Sequence, residues 1–227
     1  QLTARYIQKI HELGYPSIYV GEPWEAEIEV AQPVSSETKH RITSSLRELY
    51  TKRGPDMLDE LVEVEQAVEA LVDELLVQES IVLSLSEIRN YDNYTFHHCV
   101  DCCVLSLLLA RSLRLPHKEM CTVGVGAALH DIGKTLVPQD ILCKPGRLTP
   151  EEYEIVKQHA EDGYQMLVQR GSLDYRAAIV ALQHHERIDG SGYPGGLKGE
   201  QTHLFSRIVA VADVFDAITS DRVYRKG

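Results

Sequence analysis

Leu129-His130-Asp131-Ile132-Gly133-Lys134 closes a run of almost entirely small and apolar residues, Val123 to Leu129, and the reading of this stretch decides the fold. The run reads as an apolar helix, so the adjacent His130 and Asp131 stand as two ligand-type side chains at a buried helix terminus. Lys134 lies four residues after His130 and projects from the same side where the helix continues that far. Taken alone, the pair reads either as a salt-bridged helix end or as part of a metal site.

Working outward, the same combination recurs. His184-His185-Glu186 follows the apolar run Ala177 to Leu182, His159 sits in an amphipathic helix, and His98 opens an apolar helix containing Val104 to Leu109. Asp213 lies inside Ile208-Val209-Ala210-Val211-Ala212-Asp213-Val214-Phe215. An ionised carboxylate in such a run is costly unless it is paired or holds a metal. A single core histidine is usually only hydrogen-bonded, but the shared placement of these residues on apolar helices implies that they converge in one interior. Neutral imidazoles and carboxylates suit divalent first-row ions such as Fe, Mn or Zn. A carboxylate can bridge two ions about 3.5–4 Å apart, which lowers the pKa of a shared water and absorbs charge on a phosphoryl oxygen. Such chemistry needs no Ser or Cys nucleophile.

Helical periodicity covers about 95–114, 118–131, 150–169, 173–185 and 203–219, punctuated by Pro116, Pro138, Pro145 and the glycine-rich stretch 190–199. A mainly α helical bundle is the natural architecture. Ahead of it, a helix over 3–13, strands at 17–20 and 26–32, and a helix capped by Ser35-Ser36-Glu37-Thr38 and running to about Lys52 predict a small N-terminal α/β module, residues 1–53. Residues 54–89 read as a helical connector, with Leu61, Val64, Val68, Leu71 and Leu75 at heptad spacing. That face either packs within its own domain or forms a coiled-coil seam, as in a homodimer.

The 227 residues carry a net charge of −11, which argues against general nucleic-acid binding. Bound cations can still reverse the field inside one pocket, so a small phosphate ligand stays open. No apolar run approaches the roughly 20 residues needed to span a bilayer, and the N-terminus has no signal-peptide pattern. The expectation is a soluble cytoplasmic protein, and a sequence that starts without Met is compatible with a fragment. Five cysteines, with Cys99, Cys102 and Cys103 clustered in an apolar helix, do not look like a disulfide framework. They read as buried structural thiols, with zinc or redox chemistry at Cys99-x-x-Cys102 as the alternative.

Several long motifs, in order, resemble one family. His98, His130-Asp131 and Asp213 look like the H…HD…D signature of the HD-domain phosphohydrolases. His184-His185-Glu186-Arg187-Ile188-Asp189-Gly190-Ser191-Gly192-Tyr193-Pro194 closely resembles the HHE-x-x-DGxGYP element of the HD-GYP subfamily, and His130 to Lys134 matches its HDxxK element. Asp213-Val214-Phe215-Asp216-Ala217 and Ser220-Asp221-Arg222-Val223-Tyr224-Arg225 match its downstream segments. The likeness spans residues 90–227. More weakly, the N-terminal segment resembles the small accessory domain that precedes some HD-GYP domains.

The resemblance implies an HD-domain helical bundle, missing its last helices, that hydrolyses cyclic di-GMP to pGpG, sometimes on to GMP, through a hydroxide bridging two metal ions. Iron or manganese are the expected ions, with zinc, nickel or magnesium as alternatives. It further implies that His98, His130, Asp131 and Asp213 hold one ion, and that Asp131 bridges to a second held by His159, His184 and His185. Lys134 is expected at the scissile phosphate, and Tyr193 with Gly192 and Pro194 at the substrate. Arg222 and Arg225 are expected at phosphates, or else solvate a helix end or form a salt bridge. Some members hold a third ion with a Glu four residues before the first histidine. Tyr94 occupies that position here, which predicts a two-metal site, while His97 should point elsewhere, about 100° around the helix from His98. The rival reading is a sensor that binds cyclic di-GMP and signals through the N-terminal module to a partner protein.

Overall fold

The computed structural model describes residues 34–51, 57–78, 94–169 and 173–219, with side chains from residue 59 in the second stretch and from residue 96 in the third. The expected helix over 3–13, the strands at 17–20 and 26–32, and Arg222 and Arg225 lie outside the described residues. The elements are helices: α1 (Ser36–Thr51), α2 (Met57–Val77), α3 (Tyr94–Ser112), α4 (His117–Leu129), α5 (Gln139–Leu142), α6 (Pro150–Lys157), α7 (His159–Val168), α8 (Tyr175–Gln183) and α9 (Leu204–Thr219). Short 3₁₀ turns cover Ile132–Leu136 and Gly199–Gln201. Among the described residues, the only extended pairing is an isolated bridge between Asp189 and Lys198, and no helix is long and apolar enough to cross a membrane.

The composition of α4 explains its place. It packs on α2, α3, α8 and α9, and Met120 and every residue from Thr122 to Leu129 are buried. A helix apolar on all sides belongs at the centre of a bundle, so His130 and Asp131, which follow it, emerge into the interior. α1 packs on α2 and α3, and the chain divides at Gln32 and Pro33, which groups α1 with the helices that follow it.

The heptad face of α2 is used within the chain. Leu61, Val64, Val68, Leu71 and Leu75 are each at most 1% exposed and belong to the main core; each such buried leucine contributes about 1.5–3 kcal/mol. The packed-helix alternative therefore accounts for the spacing, and these side chains are not available as a seam for a second copy. Arg111 of α3 donates to the carbonyls of Leu75 and Gln78, satisfying the C-terminal end of α2.

The helix expected over 150–169 is two helices. Thr149 and Glu152 form a reciprocal capping box, with Pro150 in the first turn, and start α6. The break comes at Gln158, where the His159 ring takes the Val156 carbonyl at 2.6 Å. α7 then packs on the 3₁₀ turn after Asp131. The approach is close: a Cβ on Gly133 would stand 2.0 Å from the His159 carbonyl oxygen. Glycine at this position thus lets His159 and Asp131 come together.

Candidate metal centre

Asp131 is the hinge of the site. Its Oδ2 accepts from the Lys134 amino group at 2.5 Å and lies 3.4 Å from His130 Nε2 and 3.9 Å from His98 Nε2. Its other oxygen, Oδ1, lies 3.4 Å from His159 Nε2 and 3.7 Å from His184 Nε2. One carboxylate therefore turns an oxygen towards each of two sets of imidazoles. The donor atoms form two groups, His98, Cys102, His130 and Asp213, and Asp131, His159, His184 and His185, with the atoms of each group within 4.8 Å of one another. Every ligand expected from the sequence lies in one of them, His97 lies in neither, and the side chain of Tyr94 lies outside the described residues.

Hydrogen bonding sets the chemistry of these rings. The Nδ1 atoms of His130, His159 and His184 lie 2.6, 2.6 and 2.9 Å from the carbonyls of Ala127, Val156 and Ala181. A carbonyl only accepts, so Nδ1 carries the proton, and in the neutral form each ring turns the Nε2 lone pair inward. This is how a metal-binding imidazole is oriented by its outer partner. The Nε2 atoms of His159 and His184 are only 3.3 Å apart, an arrangement of two lone pairs that a cation would relieve. His130 Nε2 and Asp131 Oδ1 are buried without a hydrogen-bond partner, a cost of about 1–3 kcal/mol each that a bound cation would remove. The donor set fits a pair of divalent ions.

The electrostatics of the second group agree. Burial pushes His159 down to about 4, with Asp131 opposing and His184 adding to the shift. Burial likewise lowers His184 and His185. These rings are neutral at neutral pH, as ligands must be. Burial would raise Asp131, but Lys134 and the surrounding imidazoles hold it well below the usual carboxylate range. Burial opposes charge on His98 too, yet Asp213 and Asp216 outweigh it and hold that ring above the ordinary histidine range.

Tyr193 borders this interior. Its ring is tilted 32° over the His185 ring at 4.7 Å and stands edge-on to His159 at 6.4 Å. Burial raises its hydroxyl, with Tyr153 and the two aspartates adding to the effect. The loop is set from beneath by Glu186, which accepts from Gly195 N at 2.6 Å and Leu197 N at 2.8 Å. Asp189 accepts from Ser191 N at 2.9 Å. A Cβ on Gly192 would meet Arg187 N at 2.3 Å and His185 O at 2.4 Å, so the tight fold past the histidine pair needs glycine here.

Sequence reasoning missed several participants. Asp216 accepts from His98 Nδ1 at 2.6 Å and orients it; its signal was its spacing, one turn after Asp213 on α9. Cys102 had the same signal, one turn after His98. Glu186 was quoted only as part of a motif, because the backbone groups it holds depend on the loop's final shape. Lys157 stands 5.7 Å from the Tyr193 ring centre and 5.5 Å from that of Tyr153, a contact no spacing indicated.

With this geometry in hand, the likenesses of the chain become informative. A family model of the HD domain matches residues 100–227. Cyclic di-GMP phosphodiesterase PA4108 of Pseudomonas aeruginosa is 40% identical over 209 residues, which cover 89% of this chain and 48% of that protein. The cyclic di-GMP phosphodiesterase response regulator RpfG of Xanthomonas campestris is 47% identical over 120 residues, 52% of this chain and 32% of that protein. The chain thus spans about half or less of the length of these curated relatives. Bd1817, a HDG"Y"P protein from Bdellovibrio bacteriovorus, shares the fold, with a TM-score of 0.69 at 23% identity over 94% of this chain and 67% of that one. Since the family model covers more than half of the chain and the helical fold agrees with it, this protein belongs to the HD-domain family.

Proposed function

We propose that the chain is a phosphodiesterase of the HD-GYP type, hydrolysing cyclic di-GMP to pGpG with two divalent metal ions, iron or manganese before zinc, nickel or magnesium. The observation that carries this reading is the Asp131 carboxylate between two groups of mostly buried donors, with Lys134 beside it and Tyr193 against the His185 ring. The names of the relatives from Pseudomonas and Xanthomonas support the choice of substrate. The free state of the described cysteines suits the cytoplasm.

His98, His130 and Asp213 would hold one ion and His159, His184 and His185 the other, with Asp131 shared. Such ions, when bound, lower the pKa of a shared water and draw charge from a phosphoryl oxygen. The remaining work falls to the chain. Lys134, charged and held by Asp131, neutralises charge that develops on the phosphate. The carbonyls of Ala127, Val156 and Ala181 keep three imidazoles in one tautomer. Tyr193, with Gly192 and Pro194, forms the edge against which the dinucleotide lies, and Glu186 keeps that edge in place. Arg222 and Arg225 are proposed as phosphate contacts.

The test is anaerobic incubation with cyclic di-GMP and Mn or Fe(II), following pGpG and GMP by chromatography and metal content in the same sample. We expect pGpG, with about two ions per chain. No turnover by a chain that carries both ions and binds cyclic di-GMP would contradict the proposal and leave a sensor.

A further inference from the structure

The apolar stretch of α3 carries three buried thiols, and they have different surroundings. Cys103 Sγ lies 3.3 Å from the Gly124 carbonyl, to which it donates. Cys99 Sγ lies 3.8 Å from the Tyr50 hydroxyl. Both are ordinary settings for a structural thiol. Cys102 is instead one turn after His98, on the same face of the helix. Its Sγ lies 3.6 Å from His98 Nδ1 and 3.8 Å from His98 Nε2. Nearly equal distances to both ring nitrogens are not the approach of a thiol donating to one lone pair. The Nδ1 atom is in any case engaged by Asp216 at 2.6 Å.

The second observation comes from the other side of the same space. Cys102 Sγ lies within 4.8 Å of the donor atoms of His98, His130 and Asp213. His130 Nε2, on a side chain only 1% exposed, is buried there without a hydrogen-bond partner. Four donors, two nitrogens, one oxygen and one sulfur, thus surround one point from α3, the end of α4 and α9.

We infer that Cys102 is a ligand of the first ion, supplying sulfur alongside His98, His130 and Asp213. The inference rests on the proposed metal centre and adds to it a soft donor. On binding, the thiol proton leaves to solvent and a sulfur–metal bond forms, with no change of oxidation state. The two ion positions are then chemically unequal: one contains sulfur, while the other has imidazole and carboxylate alone. Sulfur shifts the first position towards Zn and Fe(II) and away from Mn and Mg.

Cobalt(II) loading tests this without reference to activity. The loaded wild-type chain should show a sulfur-to-cobalt charge-transfer band in the near ultraviolet. Cys102→Ser should lose that band and keep the visible ligand-field bands, whereas Cys99→Ser should retain both. In competition between Zn and Mn, Cys102→Ser should lower the Zn-to-Mn ratio by about 10-fold or more. A wild-type chain with two cobalt ions and no charge-transfer band overturns the inference and leaves the metal centre standing. A band that survives Cys102→Ser at full strength does the same. A chain that takes up no ion overturns both.

Discussion

The donors carried by the helices and the groups carried by the 186–198 loop are held by different means. His130, His159 and His184 are at most 2% exposed, and each is fastened through Nδ1 to the carbonyl three residues before it, at the end of the preceding helix. Tyr193 and its neighbours are half-buried or exposed, and they are positioned by loop hydrogen bonds: Gly195 N and Leu197 N donate to the Glu186 carboxylate, and Tyr193 N donates to the His185 carbonyl. The first region has no latitude: moving a ring breaks a hydrogen bond and opens a void in a close-packed interior. The second is less deeply buried and is held mainly through its backbone amides. The difference teaches that ion uptake and substrate placement are separable, with the bundle responsible for one and the loop for the other.

Asp131→Ala attacks the bundle side hardest. With the shared oxygen pair gone, both groups of donors lose a member, so activity should fall to background and the ion content should fall with it. Full activity in that variant would eliminate the account. Asp216→Asn is the next test, because it leaves the expected ligands in place and changes only the orientation and basicity of His98. A loss of about 10- to 100-fold in metal affinity or activity is expected, read by metal titration. Unchanged affinity would mean that His98 is held by packing alone.

On the loop side, Gly192→Ala forces the backbone away from His185 and Arg187. Displacement of the loop by an ångström can cost about 100-fold in kcat/KM, whereas ion content should stay at the wild-type level. Loss of ions in this variant would break the separation of the two regions. Glu186→Gln is milder. It retains one acceptor and turns an NH2 group towards the other backbone N–H, which loses its partner at a cost of about 1–3 kcal/mol, so KM should rise about 10-fold while kcat and ion content hold.

How much of this was legible beforehand follows the same division. The central helix and its terminal His130-Asp131 were legible because an all-apolar run has only one place in a bundle. The loop was legible as a motif, from His184 to Pro194, by resemblance. What was not legible depended on facts with no periodic signal. Periodicity showed that α2 has an apolar face, but not that the face is buried in its own chain. The break at Gln158 coincides with the His159 ring contact to the Val156 carbonyl, which no periodicity signals. Asp216, Glu186 and Cys102 act through contacts that exist only once three helices and a loop have closed around the same point. The one-turn spacings of Asp216 from Asp213 and of Cys102 from His98 were visible, but spacing alone does not say which face turns inward.

Anomalous scattering from crystals of the manganese- or iron-loaded chain would test the central claim most directly. Two peaks are predicted, one among His98, Cys102, His130 and Asp213 and one among His159, His184 and His185, with the Asp131 carboxylate between them. A single peak, or peaks away from these donors, would contradict a shared binuclear centre.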